Sequence, residues 1–96
     1  MVGLRFEWDP GKAARNIKRH GISFDEAATI FDDPMFITVI VIDQDHSGDE
    51  ERYITIGLSS GGRLLIIAHT DREGQVRIIS SRKATKKEER FYAEAA

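Results

Sequence analysis

Cysteine is absent from the 96 residues, which excludes disulfides, thiolate nucleophiles and cysteine-based zinc sites. A small domain without such staples is at home in a reducing compartment. Long apolar runs are also missing. The longest, Val39-Ile40-Val41-Ile42 and Leu64-Leu65-Ile66-Ile67-Ala68, are far shorter than a membrane span requires. The N-terminal residues lack the apolar segment of a secretory leader. Nor does one sign of charge prevail, since the formal net charge is only −2. These absences point to a soluble cytoplasmic protein, one domain over residues 1–96.

What is present is a globular composition, 41% hydrophobic and 31% charged, too apolar for a disordered tail. The small net charge conceals strong zoning. Residues 1–20 hold five Lys/Arg against two carboxylates, residues 21–71 hold two against ten, and residues 72–96 hold seven against four. Two surfaces of opposite sign are expected. A phosphate responds to the local patch, because charges beyond about 8 Å are screened at physiological salt.

Local signals mark the elements. Asp9-Pro10 opens a helix over 10–19, whose apolar side is read as Ala13, Ala14 and Ile17, and Gly21 stops it. Ser23-Phe24-Asp25-Glu26 has capping-box spacing. Phe24, Ala27, Ala28 and Phe31 then repeat at helical intervals until Asp32-Asp33-Pro34. Segments 36–42, 52–58, 63–70 and 75–82 read as strands, with an acidic loop at 43–51. The short turns 59–62 and 71–74 make the last three an antiparallel meander. Thr85-Lys86-Lys87-Glu88 caps a terminal helix reaching Ala95. The expected fold is α+β: two N-terminal helices, a four-stranded antiparallel sheet and a C-terminal helix.

Cutting RNA without a metal requires a base for the 2′-hydroxyl, an acid for the departing 5′-oxygen, and cations around the phosphorus. Arginine suits the third role, because its planar fork matches phosphate oxygens. Strict alternation along 75–82 predicts Arg77, Ile79 and Ser81 on one face, and Val76, Ile78, Ser80 and Arg82 on the other. Arg82 then emerges from the core face beside Lys83, as either a phosphate ligand or an ion pair. Glu51-Arg52 offers a base beside a clamp, or part of a solvated acidic loop. Arg63 and Arg72 lie in or beside turns, where solubility explains them.

Each of the three histidines is an acid–base candidate. His20 ends the first helix, where the helix dipole already favours a cation. His69 is either a core-edge residue or a catalytic one. His46, among Asp43 and Asp45, has no second histidine nearby to make a metal site. On the last helix, Lys86, Lys87 and Arg90 stand beside Phe91 and Tyr92. They either hold and stack a nucleic acid or pack and solvate the helix, and for Phe91 packing is preferred.

Three stretches in order resemble the BrnT family. The first is Phe6-Glu7-Trp8-Asp9-Pro10-Gly11-Lys12, continuing through Asn16, Lys18-Arg19-His20-Gly21-Ile22-Ser23-Phe24-Asp25-Glu26-Ala27 and Phe31-Asp32-Asp33. The second is Glu51-Arg52 leading to Gly57-Leu58, and the third Arg77-Ile78-Ile79-Ser80-Ser81-Arg82-Lys83-Ala84, followed by Glu89-Arg90 and Tyr92. The resemblance implies a RelE-like, metal-independent endoribonuclease toxin that inhibits translation, with no cofactor. It implies a BrnA-type ribbon-helix-helix antitoxin as partner, operator DNA bound only through the complex, and two toxins on one antitoxin dimer. Carried onto these positions, it gives Arg52, Arg82, His20 and Glu51 as catalytic residues. Arg52 and Arg82 would stabilise phosphate, and His20 or else Glu51 would move protons. Lys12, Arg77, Lys83 and Lys86 would bind RNA. The physical expectation is that Arg52, Arg77, Arg82 and Lys83 converge on one side of the sheet. The alternatives are a non-catalytic antitoxin-binding module that co-represses its operon, and a nucleic-acid-binding domain without antitoxin.

Overall fold

A computed structural model describes residues 4–41 and 51–95. The described part of the chain is an α+β domain in the order β1 (Arg5–Trp8), α1 (Pro10–His20), α2 (Phe24–Ala28), a 3-10 turn (Thr29–Asp32), β2 (Ile37–Val41), β3 (Arg52–Leu58), β4 (Leu64–Arg72), β5 (Gln75–Lys83) and α3 (Lys86–Ala95). The acidic loop expected at 43–51, and His46 with it, falls outside the described residues except for Glu51.

The local signals act as their chemistry requires. Asp9 accepts a hydrogen bond from the Lys12 N–H at 2.9 Å, capping α1. Gly21 ends that helix in the left-handed conformation, φ 69°, its N–H donating to the Ile17 carbonyl at 2.8 Å. Ser23 caps α2 through the Glu26 N–H at 3.0 Å. Thr85 and Glu88 form the full reciprocal box: the Thr85 N–H donates to Glu88 Oε1 at 2.8 Å, and the Glu88 N–H to Thr85 Oγ1 at 3.2 Å.

The sheet differs from expectation in having five strands, ordered β1-β5-β4-β3-β2. The additional strand, β1, runs parallel to β5, pairing Phe6 with Val76 and Trp8 with Ile78. The other pairings are antiparallel. Arg-Phe-Glu-Trp carries a period-2 signal, but four residues are short, and their partner lies about 70 positions away in the chain. Helices α1 and α2 cover one face of the sheet. There Ile22, Phe24, Ala27, Ile30, Leu65, Ile67 and Ile78 form the core, with Phe6, Trp8 and Phe31 packed against it. Gly57 lets the 3-10 turn approach: a Cβ there would lie 3.1 Å from both Cβ and carbonyl oxygen of Ile30.

Two details of the sequence reading are corrected. The inward residue of α1 is Asn16, while Ile17 is about half exposed. Asn16 Nδ2 donates to the Ile22 carbonyl at 2.9 Å, and its Oδ1 accepts from the Ser81 N–H at 3.0 Å. A buried amide that satisfies two backbone groups outranks a methyl-rich side chain at this position. Strict alternation along β5 also fails. Ala68 pairs with Ser80 but His69 pairs with Ile78, leaving Ile79 as the extra residue of a β-bulge. A bulge reverses parity beyond it. Ile78 and Ser81 therefore share the core face, and Arg77, Ser80 and Arg82 share the opposite, open face.

Candidate functional site

Register places the sequence-derived candidates directly, because paired residues on neighbouring strands point to the same side. Arg52 pairs with Thr70, and Thr70 with Arg77, so the three stand in one row across the open face. Two strand spacings separate the arginine backbones, roughly 9–10 Å. Thr70 is buried between them, and its hydroxyl has no hydrogen-bond partner among the described residues. Arg52 is exposed and has no ion-pair partner among the described residues. Arg77 is half-buried, with Glu7 3.6 Å from its guanidinium.

Arg82 stands on the same face, in the Ile56–Ile66 row. That row is four residues along β4 from Thr70, about 13 Å. Its guanidinium is occupied: Nη1 and Nη2 each donate to a Glu88 carboxylate oxygen at 2.8 Å. This bidentate hydrogen bond holds the Glu88 carboxyl down at about 2 and raises the Arg82 pKa. Lys83, paired with Leu65, is on the helix-covered side at the sheet's end. Of the four cations expected to converge, three arginines share a face and Lys83 does not. Alternation had sent Arg77 and Arg82 to opposite faces; the bulge unites them.

Glu51 accepts a hydrogen bond from the Tyr53 hydroxyl at 2.8 Å. The Tyr53 ring belongs to the helix-side face, where it stacks on His69 with centroids 5.6 Å apart. His69 is 6% exposed, its Nε2 lies 2.7 Å from Thr55 Oγ1, and Phe31 packs edge-on against it. Burial pushes its pKa down, against an opposing pull from Asp71. It is a core histidine, and its Nδ1 has no hydrogen-bond partner among the described residues.

Lys12 and His20 come together elsewhere. They line a groove of about 230 Å³ between α1 and β5, with Arg15, Arg19 and the bulge residues Ile79 and Ser80. Its floor includes Asn16. Arg15 and Arg19, which share this groove, are not among the sequence-derived candidates. The missed signal is their spacing from Lys12, three and seven residues, which places all three on one helical stripe. Lys86 lies on an exposed side of α3 with Glu89 and Arg90.

Other candidates have structural work. Arg63, read as a solubilising turn residue, is a clamp. Its Nε donates to Glu26 Oε2 at 2.9 Å, its Nη2 pairs with Glu26 Oε1, and Nη2 also reaches the Gly21 carbonyl at 3.3 Å. Glu26 is thereby drawn away from the capping-box return, and its carboxyl is held below the usual range by the Arg63 and Ser59 hydrogen bonds. Asp33 accepts from the Leu58 N–H at 2.8 Å and the Tyr92 hydroxyl at 2.5 Å, tying α3 to the sheet's end. Phe91 adjoins an apolar hollow on the open face, lined by Ile37, Val39, Ile54 and Ile66, and remains half exposed. No helix among the described residues is long and apolar enough to cross a membrane.

Comparison with known proteins adds two findings. The family model described as the ribonuclease toxin BrnT of type II toxin-antitoxin systems matches residues 8–88. A crystal structure of the Brucella abortus ribonuclease toxin BrnT superposes with a TM-score of 0.61 at 18% sequence identity, covering 88% of this chain and 100% of that one. At that identity the likeness concerns the fold. No curated protein matches.

Proposed function

The chain belongs to the BrnT family of ribonuclease toxins of type II toxin-antitoxin systems, and we propose that it cuts RNA on the open face of its sheet without a metal. The reading is carried by the Arg52–Thr70–Arg77 row. Two guanidinium groups flank a buried hydroxyl that lacks a partner among the described residues. In a RelE-like reaction, the 2′-hydroxyl oxygen attacks the adjacent phosphorus and the 5′-oxygen leaves. The product is a 2′,3′-cyclic phosphate, and the proton lost at one oxygen is returned at the other. Arg52 and Arg77 stabilise the charge that builds on the phosphoryl oxygens. His20, exposed beside Ser80 at the rim of β5, moves the protons, or else Glu51 does so after leaving its Tyr53 hydroxyl partner. Arg82 joins the clamp only when a phosphate displaces Glu88. Lys12, Lys83 and Lys86 add attraction along the strand.

As a toxin of this class, the protein has an antitoxin partner. We assign that role to a BrnA-type ribbon-helix-helix protein, with two toxins on one antitoxin dimer and operator DNA bound through the complex. RNA cleavage in the cytoplasm then inhibits translation. One observation favours a second reading, a non-catalytic module that holds the antitoxin: Glu7 and Glu88 stand against two of the three open-face arginines.

Expression without antitoxin separates the readings. Growth arrest with RNA decay, abolished by Arg52→Ala/Arg77→Ala in a variant that keeps its circular dichroism and its antitoxin, supports the enzyme. Arg82→Ala alone is less informative, because it also unties α3. A wild-type protein that leaves growth and RNA untouched overturns the enzyme reading.

A further inference from the structure

The groove between α1 and β5 follows from where β1 stops. β1 ends opposite Ile78, so the edge of β5 beyond it has no neighbouring strand among the described residues. Helix α1 fills that place, pinned by Asn16 to the Ser81 N–H, and the Ile79 bulge opens a channel beneath it. Lys12, Arg15 and Arg19 lie along the channel on one helical stripe, with His20 at the end. No carboxylate and no Phe, Tyr or Trp ring is among the lining residues, and none of these four cationic or titratable side chains has an ion-pair partner among the described residues. Asp9, the acid close to the helix start, is committed to the Lys12 N–H. Unpaired cations gathered in a concave site make a field that attracts polyanions. With no Phe, Tyr or Trp in the lining, the groove offers phosphates four cationic or titratable groups, and offers a base only the His20 ring and the guanidinium planes.

We propose that Arg15 and Arg19 hold consecutive backbone phosphates of a single-stranded polynucleotide in this groove and feed the strand past Ser80 toward Arg77. Ser80 and Arg77 share the open face, so the groove leads onto the row assigned to cleavage. This inference rests on the ribonuclease reading for its direction, whereas phosphate binding in the groove stands separately. Asn16 is a positioning residue, since its two hydrogen bonds fix α1 against the bulge.

Fluorescence anisotropy with a labelled twelve-nucleotide 2′-O-methyl RNA, which lacks the attacking hydroxyl, measures binding without cleavage. Each phosphate contact on a single strand contributes about −0.7 to the slope of log K against log salt. Arg15→Ser/Arg19→Ser should therefore flatten the slope by about 1.4 and weaken binding roughly 25-fold near 0.1 M salt. Lys18→Ser removes a cation from the same helix outside the groove and should leave the slope in place. Single-stranded DNA of equal length should compete as well as RNA, because phosphates rather than bases are held.

An unmoved slope in the double variant, an equal change in the control, or no binding by the wild type overturns the proposal. Loss of antitoxin capture with an unmoved slope would assign the groove to the protein partner instead. The two readings fail separately. A wild type that shows the slope change but cuts no RNA keeps the groove and loses the nuclease. One that cuts RNA with the slope unmoved keeps the nuclease and loses the groove.

Discussion

Replacing Asn16 with alanine tests whether a single buried amide holds α1 against the β5 edge of the sheet. The substitution removes the donor to the Ile22 carbonyl and the acceptor for the Ser81 N–H, at a position only 5% exposed. A buried donor or acceptor left unpaired costs about 1–3 kcal/mol. Two such groups, with some relief from entering water, place the loss near 3 kcal/mol, a large share of the roughly 5–15 kcal/mol available to a domain. For a chain of this length, 1 kcal/mol shifts Tm by about 4–8 °C, so Asn16→Ala should melt about 12–24 °C below wild type by calorimetry. Asn16→Asp sharpens the test. The carboxylate keeps the acceptor for Ser81 but meets the Ile22 carbonyl as an unpaired buried charge, which raises its folded pKa above the unfolded value of about 3.9. Its penalty is therefore present at neutral pH and relieved as pH falls toward that value, where the protonated group can donate. A Tm within about 3 °C of wild type for Asn16→Ala would falsify the account, given that the two bonds alone set a larger figure. So would a pH-independent deficit for Asn16→Asp.

Further expectations concern the ion pairs and hydrogen bonds that hold α3 and the core. The Glu88 carboxyl is depressed to about 2 by Arg82, so its stabilising contribution is present above about 4.5 and lost as pH falls toward 2. Glu88→Gln should flatten this acid limb of the unfolding curve and, by freeing Arg82, tighten RNA binding; unchanged affinity would refute the competition between Glu88 and phosphate. The Tyr92 hydroxyl is pushed up to about 12 by its hydrogen bond to Asp33, so that contribution is complete below about 10 and lost between 10 and 12. Tyr92→Phe should cost about 1–2 kcal/mol and speed amide exchange in α3 specifically, whereas uniform acceleration would mean that the bond does not serve that helix in particular. Burial lowers the His69 pKa, so a stabilising difference present above about 6.5 is lost as pH falls through its folded value. His69→Gln should remove that pH dependence and leave RNA cleavage in place; loss of cleavage in a folded variant would contradict its assignment to the core.

Much of this architecture was legible along the chain. Asp9, Ser23, Thr85 and Gly21 mark helix ends because each acts on a backbone group three or four residues away. The strands β3, β4 and β5 follow from their β-branched runs and short turns. The basic N-terminal zone appears as the cationic α1 stripe, and the ordered motifs identify the BrnT family. Less legible was β1, whose alternation is genuine but whose partner is distant, and the inward position on α1, where a polar residue displaced an apolar one. The clamp role of Arg63 gave no local signal, because Glu26 lies 37 positions away.

The sequence alone determined which residues could cap, turn, extend or carry charge, since those properties depend on neighbours within a turn or a pleat. Only the tertiary structure decided which charges share a face and which are already paired. One extra residue at Ile79 reverses the parity of β5, and the partners that bind Asn16 to Ser81 and Tyr92 to Asp33 are 65 and 59 positions apart. Backbone spacing encodes neither. Register and partner choice are settled when buried polar groups must all find a bond at once, and that is a property of the folded whole.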